Sequence, residues 1–339
     1  MIRIAQIGCG YWGPNLLRNF SQQKGCSVKY VVDPSEERRR YVDANFPQTK
    51  AVPDFERVLA DDEVDATVIA TPAGMHYEMA RVSLSRGKHT FVEKPLALSS
   101  REAEDLIALA KRSHRVLMVG HTFLYNPAVQ YLKRMIEAKE LGEVYYVYAQ
   151  RLNLGVIRSD VNALWNLAPH DISIICHLLN DNPVAVSAYG TDYLQPGVED
   201  VVFLQMVFKS KIRANVHVSW LDPNKIRRHT IVGSKKMVVY DDVADDKIAI
   251  YDKGFDRITQ EHKMPFDTVV PNKLVNRVGD ILLPKIDFKE PLKVEAAHFL
   301  DCIQNGKTPI SDGENGKNVI RVLEAAQESM RNGSRVISL

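Results

Sequence analysis

Short apolar runs alternate with amphipathic segments over the first 120 residues. The apolar runs predict strands at 2–7, 28–32, 66–70, 90–93 and 116–119. The amphipathic segments, whose apolar residues recur at helical spacing, predict helices at 15–23, 36–45, 55–60, 76–86 and 99–112. Strands that alternate with helices in this way predict a parallel sheet with helices on both of its faces.

The pattern changes after Gly120. A helix at 128–138, a strand at 144–152 and a helix at 171–179 precede strand-like runs at 184–189, 201–208, 212–219, 229–232 and 237–240. Two helices, 292–305 and 313–332, follow the stretch 252–292, which is rich in Pro, Lys and Asp and gives no clear pattern. We therefore expect an α/β protein with a Rossmann domain over 1–122. Residues 123–339 are expected to form an α+β domain built on an open, mostly antiparallel sheet.

A glycine-rich turn joins the first predicted strand to the first predicted helix. Gly8 permits a tight turn, Gly10 lets the backbone approach a pyrophosphate, and Gly13 lets the helix pack closely on the strand. The amino end of the helix then offers free N–H groups to the phosphates. The cofactor-binding residues predicted from this turn are Gly8, Gly10, Tyr11, Trp12 and Gly13.

An acidic residue, Asp33, ends the second predicted strand. A carboxylate at this distance from the glycine turn accepts hydrogen bonds from the ribose hydroxyls and repels a 2′-phosphate, which favours NAD over NADP. Arg38, at the start of the next helix, is a further cofactor-binding candidate, although it also fits a solvated helix face. The alternative, a plain glycine turn with a solvated Asp33, is disfavoured because strand, turn, helix and acid occur together.

The sequence Glu93-Lys94-Pro95 stands at the end of a further predicted strand, where ligands bind in such sheets. A lysine at this place can donate a hydrogen bond to a substrate hydroxyl and, when desolvated, can accept its proton. A surface ion pair between Glu93 and Lys94, followed by a turn proline, is an equally good interpretation of these residues alone.

Together with Thr71-Pro72, His76 and the glycine turn, this lysine motif resembles the glucose–fructose oxidoreductase / inositol dehydrogenase family (Gfo/Idh/MocA). The resemblance extends over nearly the whole chain. It implies that Lys94 is catalytic and that Thr71 and Pro72 touch the nicotinamide half of the cofactor. It also implies that His76 and Glu93 lie near the cofactor.

The family resemblance also implies an acid–base pair four residues apart on a helix of the second domain. The matching residues are Asn166 and His170, and His170 is the candidate proton acceptor because its ordinary pKa suits that task. Asn166 replaces the usual Asp; an amide can position a hydroxyl but cannot take a proton, so Lys94 and His170 share that work. Pro169 indicates a helix start close by, and Asp171 would cap the helix or orient a partner.

The resemblance further implies contacts to substrate or cofactor from Arg151 and Asn126. Arg151, Arg158 and Lys225 are candidates for a diphosphate, because cations match phosphate oxygens. The stretch from Arg151 to Asp171 is similar to family members that act on nucleotide-linked sugars. It implies NAD-dependent oxidation of the C3 hydroxyl of a UDP-linked amino sugar, UDP-N-acetylglucosamine in the sharpest form, for lipid A or surface polysaccharide.

Four alternatives to this function stay open. The enzyme could act on another nucleotide sugar, such as UDP-N-acetylglucosaminuronate, or on a free polyol. It could run as a 3-ketosugar reductase. It could also be a non-catalytic regulator that binds NAD, which the presence of both Lys94 and His170 disfavours.

Charge and cysteine content limit the classes of partner and the cell compartment that we expect for this protein. The 44 basic and 42 acidic residues leave a net charge of +2 and form no long basic run, so nucleic acid and membrane are not expected as main partners. Four scattered cysteines indicate a reduced, cytoplasmic protein without a metal site. The chain opens on a strand-like run, so no signal peptide is expected.

The second domain is expected to bind another copy of the same chain. Val201, Phe203, Gln205 and Val207 alternate along one predicted strand and suit a sheet face that a neighbour buries. We therefore expect a homodimer or homotetramer built on the C-terminal sheet.

Overall fold

The structure, a computed structural model, describes residues 1–155, 157–258 and 273–339. The chain divides into two units. The first contains Met1–Pro127, Ile172–Ile174 and Phe288–Glu328, and the second contains Ala128–Asp171, Ile175–Asp287 and Ser329–Leu339. Residues 288–328 near the end of the chain are thus grouped with the first unit, and the expected domain bounds, 1–122 and 123–339, stay a prediction.

The first unit is built on a parallel sheet. Its strands are β1 (Ile2–Ile7), β2 (Cys26–Val32), β3 (Lys50–Val52), β4 (Ala66–Ile69), β5 (His89–Glu93) and β6 (Leu117–Gly120). Their order in the sheet is β3-β2-β1-β4-β5-β6, and every pairing is parallel. All residues of β4 and β6 are buried, as in a sheet covered on both faces. The predicted Rossmann topology is confirmed, and β3 is a short edge strand that the sequence pattern did not predict.

Helices follow the strands of this sheet. They are α1 (Gly13–Ser21), α2 (Glu36–Asn45), α3 (Phe55–Leu59), α4 (His76–Ser85) and α5 (Ser100–Ser113). Local sequence explains where they begin: Pro14 lies in the first turn of α1, and the Ser99 hydroxyl accepts a hydrogen bond from the Glu102 N–H at the start of α5.

The chain continues with α6 (Pro127–Glu137), β7 (Val144–Leu154) and α7 (Ala163–Leu179). The side chain of Asn162 accepts a hydrogen bond from Trp165 N–H and caps α7, so the helix begins well before Pro169. The prediction of a helix start close to Pro169 is wrong. Proline removes one backbone hydrogen bond inside the helix, while burial of residues on both sides of it holds the helix together: Ala163, Leu164, Ala168 and Ile172.

The second sheet is mixed and mostly antiparallel, as predicted. After β7 its strands are β8 (Pro183–Thr191), β9 (Val201–Phe208), β10 (Arg213–Ser219), β11 (Leu221–Gly233), β12 (Met237–Asp241), β13 (Ile248–Ile258), β14 (Lys273–Leu282) and β15 (Ile337–Ser338). In the described residues their order is β14-β13-β12-β11-β7-β10-β9-β8-β15, and only β7 and β10 pair in parallel. The uninterpreted stretch 252–292 supplies β14 and part of β13; its residues 259–272 lie outside the described residues.

One face of the second sheet is buried and the other is open along β9. Val202, Leu204, Met206 and Phe208 point inward and are buried. The alternate residues point outward, and Phe203 among them is 50% exposed with its ring stacked on His217 at a centroid distance of 4.2 Å. The predicted alternation along this strand is therefore present.

Two helices, α8 (Pro291–Asn305) and α9 (Gly313–Arg331), close the chain. Three aromatic rings attach α8 to the first unit: Phe299 of α8 lies 5.8 Å from Phe91 of β5 and 6.2 Å from Phe20 of α1. Edge-to-face packing of this kind adds to the area that the rings bury. No helix among the described residues combines the length and the apolar character needed to cross a membrane.

Candidate active site

The glycine turn after β1 has the form that a dinucleotide needs. Gly8 has φ +94°, and a Cβ there would lie 2.6 Å from the Ala70 carbonyl oxygen. A Cβ at Gly13 would lie 2.7 Å from the Gly8 oxygen, whereas a Cβ at Gly10 would project into open space. The Gln6 amide donates to the carbonyl oxygens of Gly8 and Gly13 at 2.9 Å each and holds the turn. Gly10 thus leaves room for a phosphate beside the backbone.

Asp33, the predicted ribose contact, is buried beside the glycine turn. It follows β2 directly and is 7% exposed. Its carboxylate accepts hydrogen bonds from the Cys9 N–H at 2.8 Å and the Ser35 N–H at 2.9 Å. A carboxylate has about four lone-pair sites, so two remain for ribose hydroxyls. Arg38 is exposed, and its backbone N–H donates to the Ser35 hydroxyl that caps α2.

Tyr11 and Trp12, the other predicted residues of the turn, differ in their surroundings. Tyr11 is 94% exposed. Trp12 is partly exposed, and its side chain is hydrogen bonded to the carboxyl group of Glu93. Because the indole N–H is a donor only, Trp12 donates and Glu93 accepts. The glycine turn and the lysine motif are therefore directly connected.

Lys94 follows β5 directly, at the carboxyl edge of the first sheet, and its peptide bond to Pro95 is cis. Burial raises the pKa of Glu93 to about 7, although the charge of Lys94 and the hydrogen bonds from the Lys94 N–H and Trp12 act in the opposite direction. Burial, followed by the charge of Lys94, lowers the pKa of His121 to about 3. The ammonium group of Lys94 is therefore close to buried titratable groups, which is typical of catalytic sites.

His76 joins two predicted parts of the site. Its Nδ1 lies 2.7 Å from the Pro95 carbonyl oxygen and its Nε2 lies 2.9 Å from the Thr71 carbonyl oxygen. Burial is the main cause of a lowered pKa at His76. A neutral imidazole donates from one ring nitrogen only, so His76 donates to one of these two carbonyl oxygens and lies against both Thr71 and Pro95. The Thr71 hydroxyl is buried and makes no hydrogen bond to the described residues, and Pro72 is exposed.

The predicted pair in the second unit lies on α7. Asn166 and His170 are both partly buried and, four residues apart, share one face of this helix. The Trp220 indole N–H donates to the Asn166 amide oxygen at 3.2 Å. This bond orients the amide with its NH₂ group directed away from Trp220.

Arg151 is buried behind the same helix. It is 3% exposed, and its Nε and Nη2 atoms donate to the Asp171 carboxylate at 2.8 and 3.1 Å. The His229 ring lies 3.2 Å from the same carboxylate. Burial would raise the pKa of Asp171, but Arg151 and His229 lower it to about 2. Arg151 therefore holds α7 next to His170, and Asp171 orients a partner as expected.

The remaining candidates occupy different places. Asn126 is buried at the start of α6. Arg158 pairs with Asp160 at 2.6 Å, and Lys225 is an exposed residue of β11. Within the described ranges, no three His, Cys, Asp or Glu side chains are close enough to hold a metal ion.

Sequence reasoning missed three residues near the carboxyl ends of β5 and β6. His121 and Thr122 follow β6 directly, at the sheet edge where ligand-binding residues are usual, and this position was an available signal. Glu295 shares the apolar stripe of α8 with Leu292 and Phe299, and a carboxyl group in such a stripe was a second signal. Thr122 Oγ1 and Glu295 Oε2 are 2.7 Å apart.

Comparisons with known proteins agree with this geometry. The family model "Oxidoreductase family, NAD-binding Rossmann fold" matches residues 2–121, and "Oxidoreductase family, C-terminal alpha/beta domain" matches residues 133–339. The chain is 29% identical to UDP-N-acetylglucosamine 3-dehydrogenase of Acidithiobacillus ferrooxidans over 329 residues, 96% of this chain and 95% of that protein. It is 27% identical to scyllo-inositol 2-dehydrogenase (NAD(+)) of Bacillus subtilis over 349 residues, 99% of this chain and 96% of that protein.

A solved structure of UDP-N-acetylglucosamine 3-dehydrogenase from Acidithiobacillus ferrooxidans matches with a TM-score of 0.79 and 25% identity, and 98% of each chain is covered. The relatives differ in substrate, while their names share dehydrogenase activity. Since the two family models match 2–121 and 133–339, this chain belongs to the Gfo/Idh/MocA oxidoreductase family, and its first unit is an NAD-binding Rossmann domain.

Proposed function

We propose that this protein oxidises the C3 hydroxyl of a UDP-linked amino sugar, UDP-N-acetylglucosamine in the first place, with NAD as the hydride acceptor. The observation that carries the proposal is the position of Lys94. It follows β5 at the carboxyl edge of the NAD-binding sheet, and the preceding Glu93 is hydrogen bonded to Trp12 of the glycine turn. The UDP-N-acetylglucosamine 3-dehydrogenase that covers 96% of this chain supports the choice of sugar.

In this proposal the first unit holds the cofactor and one acid–base group. Gly8, Gly10 and Gly13 admit the pyrophosphate, Asp33 binds the ribose hydroxyls, and Thr71 and Pro72 border the nicotinamide. NAD, when bound, supplies the hydride acceptor. Lys94 donates a hydrogen bond to the sugar hydroxyl as an ammonium and takes its proton as an amine.

Residues of α7 supply the second acid–base group. His170 is the histidine for proton transfer, because the ordinary pKa of imidazole lies close to neutral pH. Asn166 positions a hydroxyl through its NH₂ group, since its oxygen already accepts from Trp220. Arg151 acts through Asp171 on the position of this helix, because its guanidinium donates twice to that carboxylate. Arg158 and Lys225 then bind the diphosphate of the substrate.

A panel of substrates tests the reaction. Purified protein is incubated with NAD and each of several UDP-sugars, UDP-N-acetylglucosaminuronate and free polyols included, and NADH is followed by absorbance. We expect the highest kcat/KM with UDP-N-acetylglucosamine. No turnover of this sugar together with turnover of another compound would overturn the substrate assignment.

Two variants test the site. Lys94→Ala and His170→Ala should each lower kcat by about 100-fold or more, the usual effect of losing a positioned acid–base group. Lys111→Ala is the control, because this exposed lysine on α5 pairs only with Glu314 among the described residues. Activity of both site variants equal to that of the control would refute the assignment of catalytic groups.

A polyol substrate is the second candidate. The scyllo-inositol 2-dehydrogenase relative covers 99% of this chain, and oxidation of a cyclitol needs the same acid–base groups without a diphosphate site. In that case, replacing the proposed phosphate ligands with Arg158→Ala and Lys225→Ala would leave kcat/KM for the polyol unchanged. With a UDP-sugar the same changes should raise KM.

We also propose a homodimer or homotetramer in the cytoplasm. The open face of β9 carries Phe203, half exposed and stacked on His217, which suits a face that a second copy buries. The cysteines, all within the described residues, are free thiols, as is usual in a reducing compartment. Light scattering should give a multiple of the chain mass that Phe203→Glu lowers; a monomeric unmodified protein would contradict the proposal.

A further inference from the structure

Two glutamates are buried at the carboxyl edge of the first sheet, both against the segment 120–122. Glu93 ends β5, and its carboxyl atoms lie 3.0 Å from the place of a Cβ on Gly120. Glu295 of α8 is 0% exposed, and its Oε2 is 2.7 Å from the hydroxyl of Thr122. Both carboxyl groups are thus held against the end of β6.

Register places the two glutamates in one layer. Phe91 and Glu93 are two residues apart on β5 and point to the same face of the sheet. Phe299 and Glu295 are four residues apart on α8 and share one side of the helix. The rings of Phe91 and Phe299 are 5.8 Å apart. Since Glu295 also bonds to Thr122 beyond β6, both carboxyl groups lie between the sheet and α8, toward the same edge.

The partners of these two groups differ. Glu93 accepts from the Lys94 N–H at 3.3 Å and from Trp12, and the charge of Lys94 acts on it. The Glu295 Oε2 atom has the neutral Thr122 hydroxyl as its partner, and the Oε1 atoms of both glutamates make no hydrogen bond to the described residues. A lone buried carboxylate is far more costly than one beside a cation. Glu295 is therefore the one expected to keep its proton.

Among the described residues, His121 and Tyr125 also lie near the pair, and both are uncharged. The imidazole of His121 is buried and neutral, because burial and the Lys94 charge lower its pKa to about 3. Burial is the main cause of a raised pKa at Tyr125, which therefore remains a phenol. For Glu295 itself, burial and then the charge of Glu93 raise the pKa well above its ordinary value.

We propose that Glu93 and Glu295 form a buried carboxyl pair behind Lys94, in which Glu93 takes the substrate proton from Lys94 while Glu295 stays a neutral acid. The inference rests on the proposed role of Lys94. The substrate O–H bond breaks and an N–H bond forms on the Lys94 amine; that N–H bond then breaks and an O–H bond forms on the Glu93 carboxylate. The two electrons leave the sugar carbon as the hydride that the dehydrogenase reaction already transfers. Glu93 and Glu295 are positioning residues, because both act through Lys94.

Infrared spectroscopy of the whole protein at neutral pH tests the charge of Glu295. A protonated carboxyl group gives a C=O stretching band that shifts in D₂O. We expect this band in the unmodified protein, its loss in Glu295→Gln and its retention in Glu290→Gln. Glu290 is a matched control, since it precedes the same helix but pairs with Arg18 at 2.6 Å. A spectrum that is the same in Glu295→Gln and in the unmodified protein would overturn the inference.

The pH dependence of kcat/KM tests the link from Glu93 to Lys94. Glu93→Gln removes the anionic neighbour of Lys94 and should therefore lower the pKa of Lys94. The acid limb of the kcat/KM profile should then move down by about one pH unit or more, and kcat should fall about 10- to 100-fold. Glu93→Asp should restore the acid limb to its position in the unmodified protein. A folded Glu93→Gln protein with an unchanged profile would overturn the inference while leaving the proposed reaction intact.

Glu295→Gln should behave differently. At neutral pH its kcat should stay within about threefold of the unmodified protein, because Gln resembles the protonated acid. At alkaline pH it should stay active where the unmodified protein declines, since ionised Glu295 would raise the pKa of Lys94. A loss of tenfold or more at neutral pH would mean that Glu295 acts as a carboxylate, which would overturn the inference. Activity without Lys94 would instead refute the proposed function.

Discussion

Replacing Glu295 with glutamine should make the protein more stable, and increasingly so as the pH rises. The pKa of Glu295 in the folded protein is raised well above 4.5, mainly by burial and then by Glu93. At pH values between the pKa of Glu295 in the unfolded chain and its pKa in the folded protein, the native state binds one proton more than the unfolded state. The free energy of unfolding therefore falls as the pH rises. The slope is about 1.4 kcal/mol per pH unit. The Glu295→Gln variant lacks this slope, because an amide does not titrate.

Urea unfolding followed by circular dichroism measures this effect. Between about pH 5.5 and about pH 6.5, the free energy of unfolding of Glu295→Gln relative to the unmodified protein should grow by about 1.4 kcal/mol. The m values should agree, because the same surface is exposed. Glu290→Gln serves as the control: Arg18 lowers the pKa of Glu290, so both states are ionised throughout this window and the difference stays constant. A constant difference for Glu295→Gln as well would show an ionised carboxylate and refute the reasoning.

Three further perturbations have defined outcomes. Gly10→Ala should leave the free energy of unfolding in urea unchanged. It should weaken NAD binding about tenfold or more in a fluorescence titration, because its Cβ meets only the open space that the pyrophosphate needs. Gly8→Ala should instead destabilise the fold, since φ at this position is +94° and the Cβ clashes with the backbone. Asp33→Ala should raise the Kd for NAD and lower the preference for NAD over NADP, measured with both cofactors; an unchanged ratio would contradict the ribose contact. Arg151→Met should cost about 3–5 kcal/mol in urea unfolding, because Asp171 keeps a buried charge without its main partner; a loss below about 1 kcal/mol would show that the pair is unimportant.

Sequence patterns were sufficient to predict most strands of the first sheet. Its strands are short apolar runs, and each is followed by an amphipathic helix, so periodicity alone distinguishes them. The exception is β3, a strand of three residues, Lys50–Val52, which is too short to show a period. The glycine turn and Asp33 were equally accessible, because their spacing follows directly from the way a dinucleotide crosses the sheet.

The second unit was less accessible from sequence. β11 runs from Leu221 to Gly233, although Asp222-Pro223-Asn224 is typical of a turn. Its pairing with β7 shifts register between Leu221 and Ile226, and such an irregularity allows proline in a strand. Helix α7 likewise passes through Pro169, because the cap at Asn162 and its buried packing outweigh a local preference.

The candidate site was only half predictable. Lys94, Asn166 and His170 belong to local motifs, which a sequence displays directly. Glu295 reaches the edge of the first sheet from the far end of the chain, through the contact of Phe299 with Phe91. A long-range contact of this kind leaves no local pattern beyond one carboxyl group in an apolar stripe.

In the proposed reaction the hydride leaves C3 of a UDP-linked amino sugar. Its most direct test is to incubate the protein with NAD and UDP-N-acetylglucosamine that carries deuterium at C3, and to determine the mass of both products. We expect deuterium to be transferred to the reduced cofactor and the sugar to become a ketone without the label. Reduced cofactor without deuterium, with the label retained in the sugar, would contradict it.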